Sequence, residues 1–255
     1  MTKKLPCNSP FEKTKLRFIS SDILKLLAVL FMLCDHVWAT VMTLPDYLTY
    51  IGRVAFPIFA FLIAEGFLHT KNVRKYMLRL LVFAVISEIP FNLFYSSRVF
   101  NPFHQNVMFT LLLGLCAISL IAKMKSKKTF KNIFLSSLLL LLIALLSVIT
   151  FPDYGFYGML MVVMFYVLRD FPFAFLAQLV AMVLINIVLF EGQVFMFSVF
   201  SHHVEIPVQG FAVLSLIPIW FYNGKKAKTG RILQYGFYAF YPLHMLILYF
   251  IRYFA

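Results

Sequence analysis

Apolar runs of about 15 to 22 residues recur along nearly the whole chain, each closed by a short stretch containing Lys, Arg, Gly, Pro or Asn. A helix that crosses the hydrocarbon core needs about 20 mostly apolar residues. On that rule nine helices are expected, near 22–43, 49–69, 74–95, 106–122, 132–150, 155–169, 172–190, 206–222 and 232–252. The sixth is short and its boundary with the seventh, at Phe171 and Pro172, is tight, which leaves the count open by one. The segment from Phe190 to Glu205 reads as a loop or as a re-entrant or interfacial piece. No internal repeat and no soluble domain is visible. The expected fold is all-α, a polytopic transmembrane helical bundle, with a basic cytoplasmic segment over 1–21 and a single transmembrane domain over 22–255.

Composition sharpens this. Of 255 residues, 62% are hydrophobic and 13% charged, against about 25% charged in soluble domains, so one soluble core is excluded. The net charge of +13 does not point to nucleic acid, because the cations gather between apolar runs, at Lys3 to Arg17, Lys71 to Arg79, Lys123 to Lys131 and Lys225 to Arg231. Basic clusters on alternate loops mark the cytoplasmic side. A cytoplasmic N-terminus puts all four clusters and Arg169 inside, and leaves Arg98 and Arg252 outside. The first apolar run exceeds the roughly 7–15 residues of a signal-peptide core and lacks a small-x-small cleavage site, so it is expected to remain as the first span. Cys7, Cys34 and Cys116 form no metal spacing and no even disulfide set. The Phe content, 31 residues, is lipid-facing packing and signals no cofactor.

Candidate chemistry begins on the first helix, which carries Asp22, Lys25, Asp35 and His36. Lys25 and His36 are eleven positions apart, which brings them within about 20° of each other and about 16 Å apart along the axis. Asp22 lies one turn before Lys25 on the same stripe. Charged groups within a membrane face protein or a water-filled cavity and are functional candidates. Running the helices alternately outward and inward sorts the polar groups into two layers. An outer layer gathers Asp35, His36, Arg53, Glu88, Asn92 and Asn106, with Asp153 and His244 beside it; an inner layer holds Asp22, Lys25, Glu65 and His69. Asp35–Arg53 and Lys25–Glu65 are the pairings expected between the first two antiparallel helices.

His36 has the character of a general base, since imidazole titrates near neutrality and a carboxylate can orient it. A buried histidine satisfied by a helix–helix hydrogen bond is the plainer alternative. Neighbouring residues on a helix diverge by about 100°, so Asp35 is free to hold Arg53 instead, leaving another carboxylate such as Glu88 to orient the imidazole. Lys25 reads either as a snorkelling lysine or as a phosphate contact for an anionic ligand entering from the cytoplasm. Glu65 and His69, one turn apart, read equally as an inner-end ion pair.

Several blocks carry a resemblance: Leu24 and Lys25 with Asp35 and His36; Gly52, Arg53, Val54, Ala55, Phe56, Pro57, Phe59 and Phe61; Glu65, Gly66 and Phe67 with Thr70, Tyr76, Arg79 and Leu80. Further along come Ile89 to Asn92, Asn106 to Thr110 with Gly114, Asp153 to Gly155 with Gly158, and Phe240 to His244. Together they resemble the TraX family of membrane acetyltransferases, known for N-terminal acetylation of conjugative pilin, over nearly the whole chain after about residue 20. TraX proteins are in turn similar to the transmembrane acyltransferases that carry a basic residue, ten intervening positions and an active-site histidine on one helix. Here the spacing is Lys25 to His36, with Lys where Arg is usual, and an ammonium does not reproduce the bidentate fork of a guanidinium. The resemblance implies acetyl-CoA as donor, bound from the cytoplasm at the inner layer; no metal is expected, since no site shows a ligand cluster with plausible spacing. It implies His36 as base toward an amine or hydroxyl on a protein, glycan or small amine arriving from the membrane or the outer side. Arg53, Asn92 or Asn106 would then steady the oxyanion, and the bacterial inner membrane is the expected location. A proton-coupled transporter or flippase is the rival class, since proton relays also use intramembrane Asp, Glu and His, though the matched broken helices of transporters are not visible.

Overall fold

The computed structural model describes residues 17–40, 44–190, 192–199, 202–225 and 230–254. Most of the basic N-terminal segment, Cys7 and part of the last basic cluster lie outside them. Helix α1 spans Ser21–Thr40, α2 Tyr47–Gly52, α3 Ala55–His69, α4 Val73–Ser96, α5 Val107–Ser126, α6 Phe130–Ile149 and α7 Gly155–Val167. Helix α8, Ala174–Val183, continues as a wider turn through Leu189. Strands β1 (Val194–Val199) and β2 (His202–Pro207) follow, then tight turns over Val208–Ser215 into α9 (Leu216–Trp220), and finally α10 (Arg231–Phe254).

Each of the nine expected segments therefore contains helix; among the described residues five helical segments are long and apolar enough to cross a membrane, 21–40, 47–69, 73–96, 107–126 and 130–149, so a count of nine spans is not confirmed. Several boundaries follow from capping. Asn72 and Asn106 accept from the backbone N–H groups of Lys75 and Met108 at 3.0 and 3.1 Å, meeting donors that the first helical turn leaves unpaired. Pro57 sits in the first turn of α3, where no intrahelical N–H is lost. The second expected helix is broken at Arg53 and Val54 into α2 and α3.

The all-α expectation is corrected at 194–207, where an antiparallel hairpin pairs Val194 with Pro207 through Val199 with His202. Alternation is the cause: Phe195 turns inward against Tyr50 and Phe211, while Val194 and Met196 face out. Helix α3 forms the centre, packed by α1, α5 and α7. Over 18-residue windows, 56% of the 47–69 segment is buried but only 11% of α6, whose leucines face outward. One buried cluster surrounds α3, including Leu24, Ile58, Leu80, Leu115, Met161 and Leu216. A second, with Met32, Phe91, Phe94, Met108, Tyr241 and Met245, joins α1, α4, α5 and α10. Below, the near end of the bundle is where α1 begins and the far end is where it finishes.

Candidate functional site

At the far end Asp35 and His36 leave α1 in different directions. The Asp35 carboxylate meets α2 and the turn after it. Its Oδ1 accepts from Thr49 Oγ1 at 2.6 Å and from Arg53 Nη2 at 2.8 Å, and Arg53 Nη2 also donates to Thr49 Oγ1 at 2.9 Å. The Asp35–Arg53 pair is thus present, as the short connection between the first two helices led us to expect. The guanidinium also lies beside Tyr154, while the Arg53 Nε is buried without a hydrogen-bond partner. Tyr154 stacks on Phe56 with centroids 3.9 Å apart.

His36 turns the other way, toward α4 and α10, and is buried. Its Nδ1 lies 2.6 Å from His244 Nε2, and His244 Nδ1 lies 2.7 Å from the Phe240 carbonyl oxygen. The side chains of Phe94 and Tyr95 pack on the imidazole. The partner of the imidazole is therefore His244 and not Glu88, which corrects the expectation that a carboxylate orients it. Glu88 is engaged elsewhere: Asn106 donates to its Oε2 from Nδ2 at 2.6 Å, and Asn92 Nδ2 donates to its Oε1 at 3.4 Å. The second Asn106 amide hydrogen goes to the Ala84 carbonyl at 2.8 Å, so both are taken in tying α5 to α4. Asn92 is fully buried, with Oδ1 unpartnered. Asp153, in the turn before α7, joins the chain at Gln105 through its backbone N–H at 2.8 Å and accepts the Thr110 hydroxyl on its carbonyl. Burial pushes its carboxyl above the ordinary range, with the facing His104 and Arg53 pulling it back.

At the near end the expected Lys25–Glu65 pair does not form. Lys25 Nζ is 3.0 Å from Asp22 on its own helix. Glu65 instead meets Arg169 at 3.6 Å and His69 at 3.4 Å, because α3 packs along α7 and brings the turn after α7 within reach. Lys25, Glu65 and His69 nonetheless line one cavity of about 260 Å³ between α1, α3, α4, α5 and α10. Its lining runs along α3 from Phe59 to His69, ten residues or about 15 Å at 1.5 Å per residue. Arg79 on α4 also lines it, lying over the Tyr76 ring beside Tyr238, with its Nε buried without a hydrogen-bond partner. Met108, at the other extreme of the cavity, belongs to the same buried cluster as Phe94 and Tyr241, which pack on the histidine pair.

From the sequence Arg79 belongs to a topology-setting cluster and to one of the resemblance blocks, and neither marks it as a cavity residue; the signal available is its position one turn after Tyr76 on an otherwise apolar stretch. Thr49, Tyr95 and Tyr238 carry no sequence signal that separates them from ordinary core residues, and Tyr154 is marked only by its place in the Asp153 to Gly155 block. Among the described residues no group of three or more His, Cys, Asp or Glu is placed to hold a metal ion.

Five spanning-length helices around buried ionisable groups define a multi-pass membrane protein with an intramembrane polar centre. The family profile described as "TraX protein" matches residues 20–252, and the chain belongs to the TraX family. Among characterised sequences it is similar to the probable fimbrial assembly protein FimC of Dichelobacter nodosus, with 31% identity over 246 residues, 88% of this chain and 92% of that protein. No solved structure matches it.

Proposed function

We propose that this protein is an acetyl-CoA-dependent acetyltransferase of the bacterial cytoplasmic membrane, with His36 as general base and the cavity as the donor site. The observation that carries the reading is the cavity itself. Lys25 and Arg79 line it, and so does Met108, which belongs to the cluster that packs on His36. A volume of about 260 Å³ suits a linear pantetheine arm, with the nucleotide end left at the basic mouth. Arg79 Nε–H, unpartnered within the protein, is a ready donor to a phosphate oxygen, and Lys25 supplies a second cation.

In this reading the acceptor amine or hydroxyl gives its proton to His36 as its heteroatom attacks the thioester carbon. The tetrahedral oxyanion is met by Arg53, whose Nε–H is uncommitted while the amide hydrogens of Asn106 are both in use. The C–S bond then breaks and the thiolate takes the proton from His36. No covalent acetyl-enzyme is required. The name of the Dichelobacter relative, a probable fimbrial assembly protein, supports a pilin subunit as acceptor, reached from the membrane or the outer face.

Binding tests the donor site. Acetyl-CoA titrated into detergent-purified protein should bind wild type and His36→Ala alike. Arg79→Ala and Lys25→Ala should bind about 10- to 100-fold more weakly, the loss expected of one charge-assisted phosphate contact at about 1.5–3 kcal/mol. Equal affinity in all four proteins contradicts the placement of the donor.

A further inference from the structure

The contacts of the two histidines fix where their hydrogens sit. The Phe240 carbonyl is an acceptor only, so His244 Nδ1, 2.7 Å away, carries a hydrogen and donates it. A neutral imidazole protonated at Nδ1 has a bare Nε2, and that atom faces His36 Nδ1 at 2.6 Å. A contact this short needs one hydrogen between the nitrogens, so His36 Nδ1 is the donor and His36 Nε2 is left bare. The two rings lie within 4° of one plane with centroids 4.9 Å apart, as an in-plane N–H···N bond requires. The chain of hydrogen bonds runs from His36 through His244 to the α10 backbone, and both rings are buried, at 7% and 5% exposure.

We infer that His244 is a positioning residue for the reaction: it selects the Nδ1–H form of His36, presents Nε2 as the basic atom, and accepts the Nδ1 hydrogen more strongly once Nε2 has taken a proton. A carboxylate does this for a histidine in hydrolytic triads; here a neutral imidazole anchored on a backbone carbonyl takes the place. The proton balance closes, since the hydrogen taken from the acceptor at Nε2 leaves on the thiolate while the Nδ1 hydrogen stays in the His36–His244 bond. Asp35 is released from this task and holds Arg53. The inference rests on the acetyltransferase reading for its kinetic half, whereas the tautomer stands independently of any activity.

Two measurements test it. In protein labelled with ¹⁵N-histidine, at a pH where both rings are neutral, His36, assigned by the signal lost in His36→Asn, should show Nδ1 protonated and Nε2 bare. His244→Ala should release His36 to the Nε2–H form, and His244→Gln, whose side-chain oxygen can accept from His36 Nδ1, should hold it. In turnover, His244→Ala should lower kcat about 100-fold, a size typical of general-base catalysis, with little change in KM for acetyl-CoA, and His244→Gln should recover most of the loss. Wild-type His36 protonated at Nε2 would overturn the proposal. So would a His244→Ala protein with unaltered tautomer and kcat. If the tautomers behave as stated but no form consumes acetyl-CoA, the histidine arrangement stands and the acetyltransferase reading is what fails.

Discussion

A Cβ added at Gly52 would lie 2.4 Å from Asp35 Cβ and 2.8 Å from its Cγ, closer than side-chain carbons approach. The absence of a side chain there lets α2 close on α1 until Arg53 reaches the carboxylate. Gly52→Ala should therefore destabilise the protein by about 1–3 kcal/mol, the usual cost of overpacking. Gly236→Ala, with no atom within 4 Å of the added carbon, should leave the melting temperature in detergent nearly unchanged. Asp35→Asn strands the Arg53 charge and should cost about 3 kcal/mol, the low end for a broken buried pair because 26% and 17% of the two side chains remain exposed. Adding Arg53→Gln should recover stability without recovering activity. If the double variant is as unstable as Asp35→Asn alone, the stranded charge is not the cause. The Asp35–Arg53 pair was legible in the sequence because a short connection holds the two helices antiparallel and fixes their relative depth. The His36–His244 pair was not, because 208 residues separate the partners and nothing in an apolar pattern says which helix lies beside the first. Lys25 shows the converse: the depth assigned to it was sound, but Asp22 is one turn away and captures it before Glu65 can.

At the scale of elements, apolar periodicity located helix in all nine expected places, and Asn at two starts marked their boundaries. What it missed was the hairpin: the segment from Phe190 to Glu205 reads as a loop or a re-entrant or interfacial piece, because strands of six residues, VFMFSV and HHVEIP, are too short to stand out from such a stretch. The break between α2 and α3 escaped because a single Arg53 leaves the mean hydropathy of 47–69 at 1.8, in the range of an unbroken span. The hairpin is held by Phe195 against Tyr50 and Phe211, with ring centroids 5.4 and 6.2 Å away. Phe195→Ser should expose the backbone amides of the hairpin to faster hydrogen exchange, while acetyl-CoA affinity stays at the wild-type value, because the hairpin packs on Tyr50 and Phe211, neither of which lines the cavity proposed for the donor. A parallel loss of affinity would show that the two ends are coupled.

For the whole molecule, α3 supplies the centre, α6 a lipid-facing edge, and α1 the line that joins both polar regions. Lys25 lines the cavity and His36 stands in the pair with His244, with Ala28, Val29 and Met32 buried between them. On the proposed acetyltransferase reading, a donor bound along that line would bring its reactive end toward His36, with the acceptor approaching from the opposite end. Family membership fixes the relatives, and the chemistry is what an assay must supply. The most direct measurement is CoA release from acetyl-CoA by purified protein in detergent, wild type against His36→Ala, with folding matched by melting temperature and donor binding. The account predicts slow release by the wild type, accelerated by a peptide bearing a free N-terminal amine, and loss of at least about 100-fold in His36→Ala. Release that is equal in the two proteins, or a wild type that neither binds nor consumes acetyl-CoA while carrying protons across liposome membranes, would contradict it.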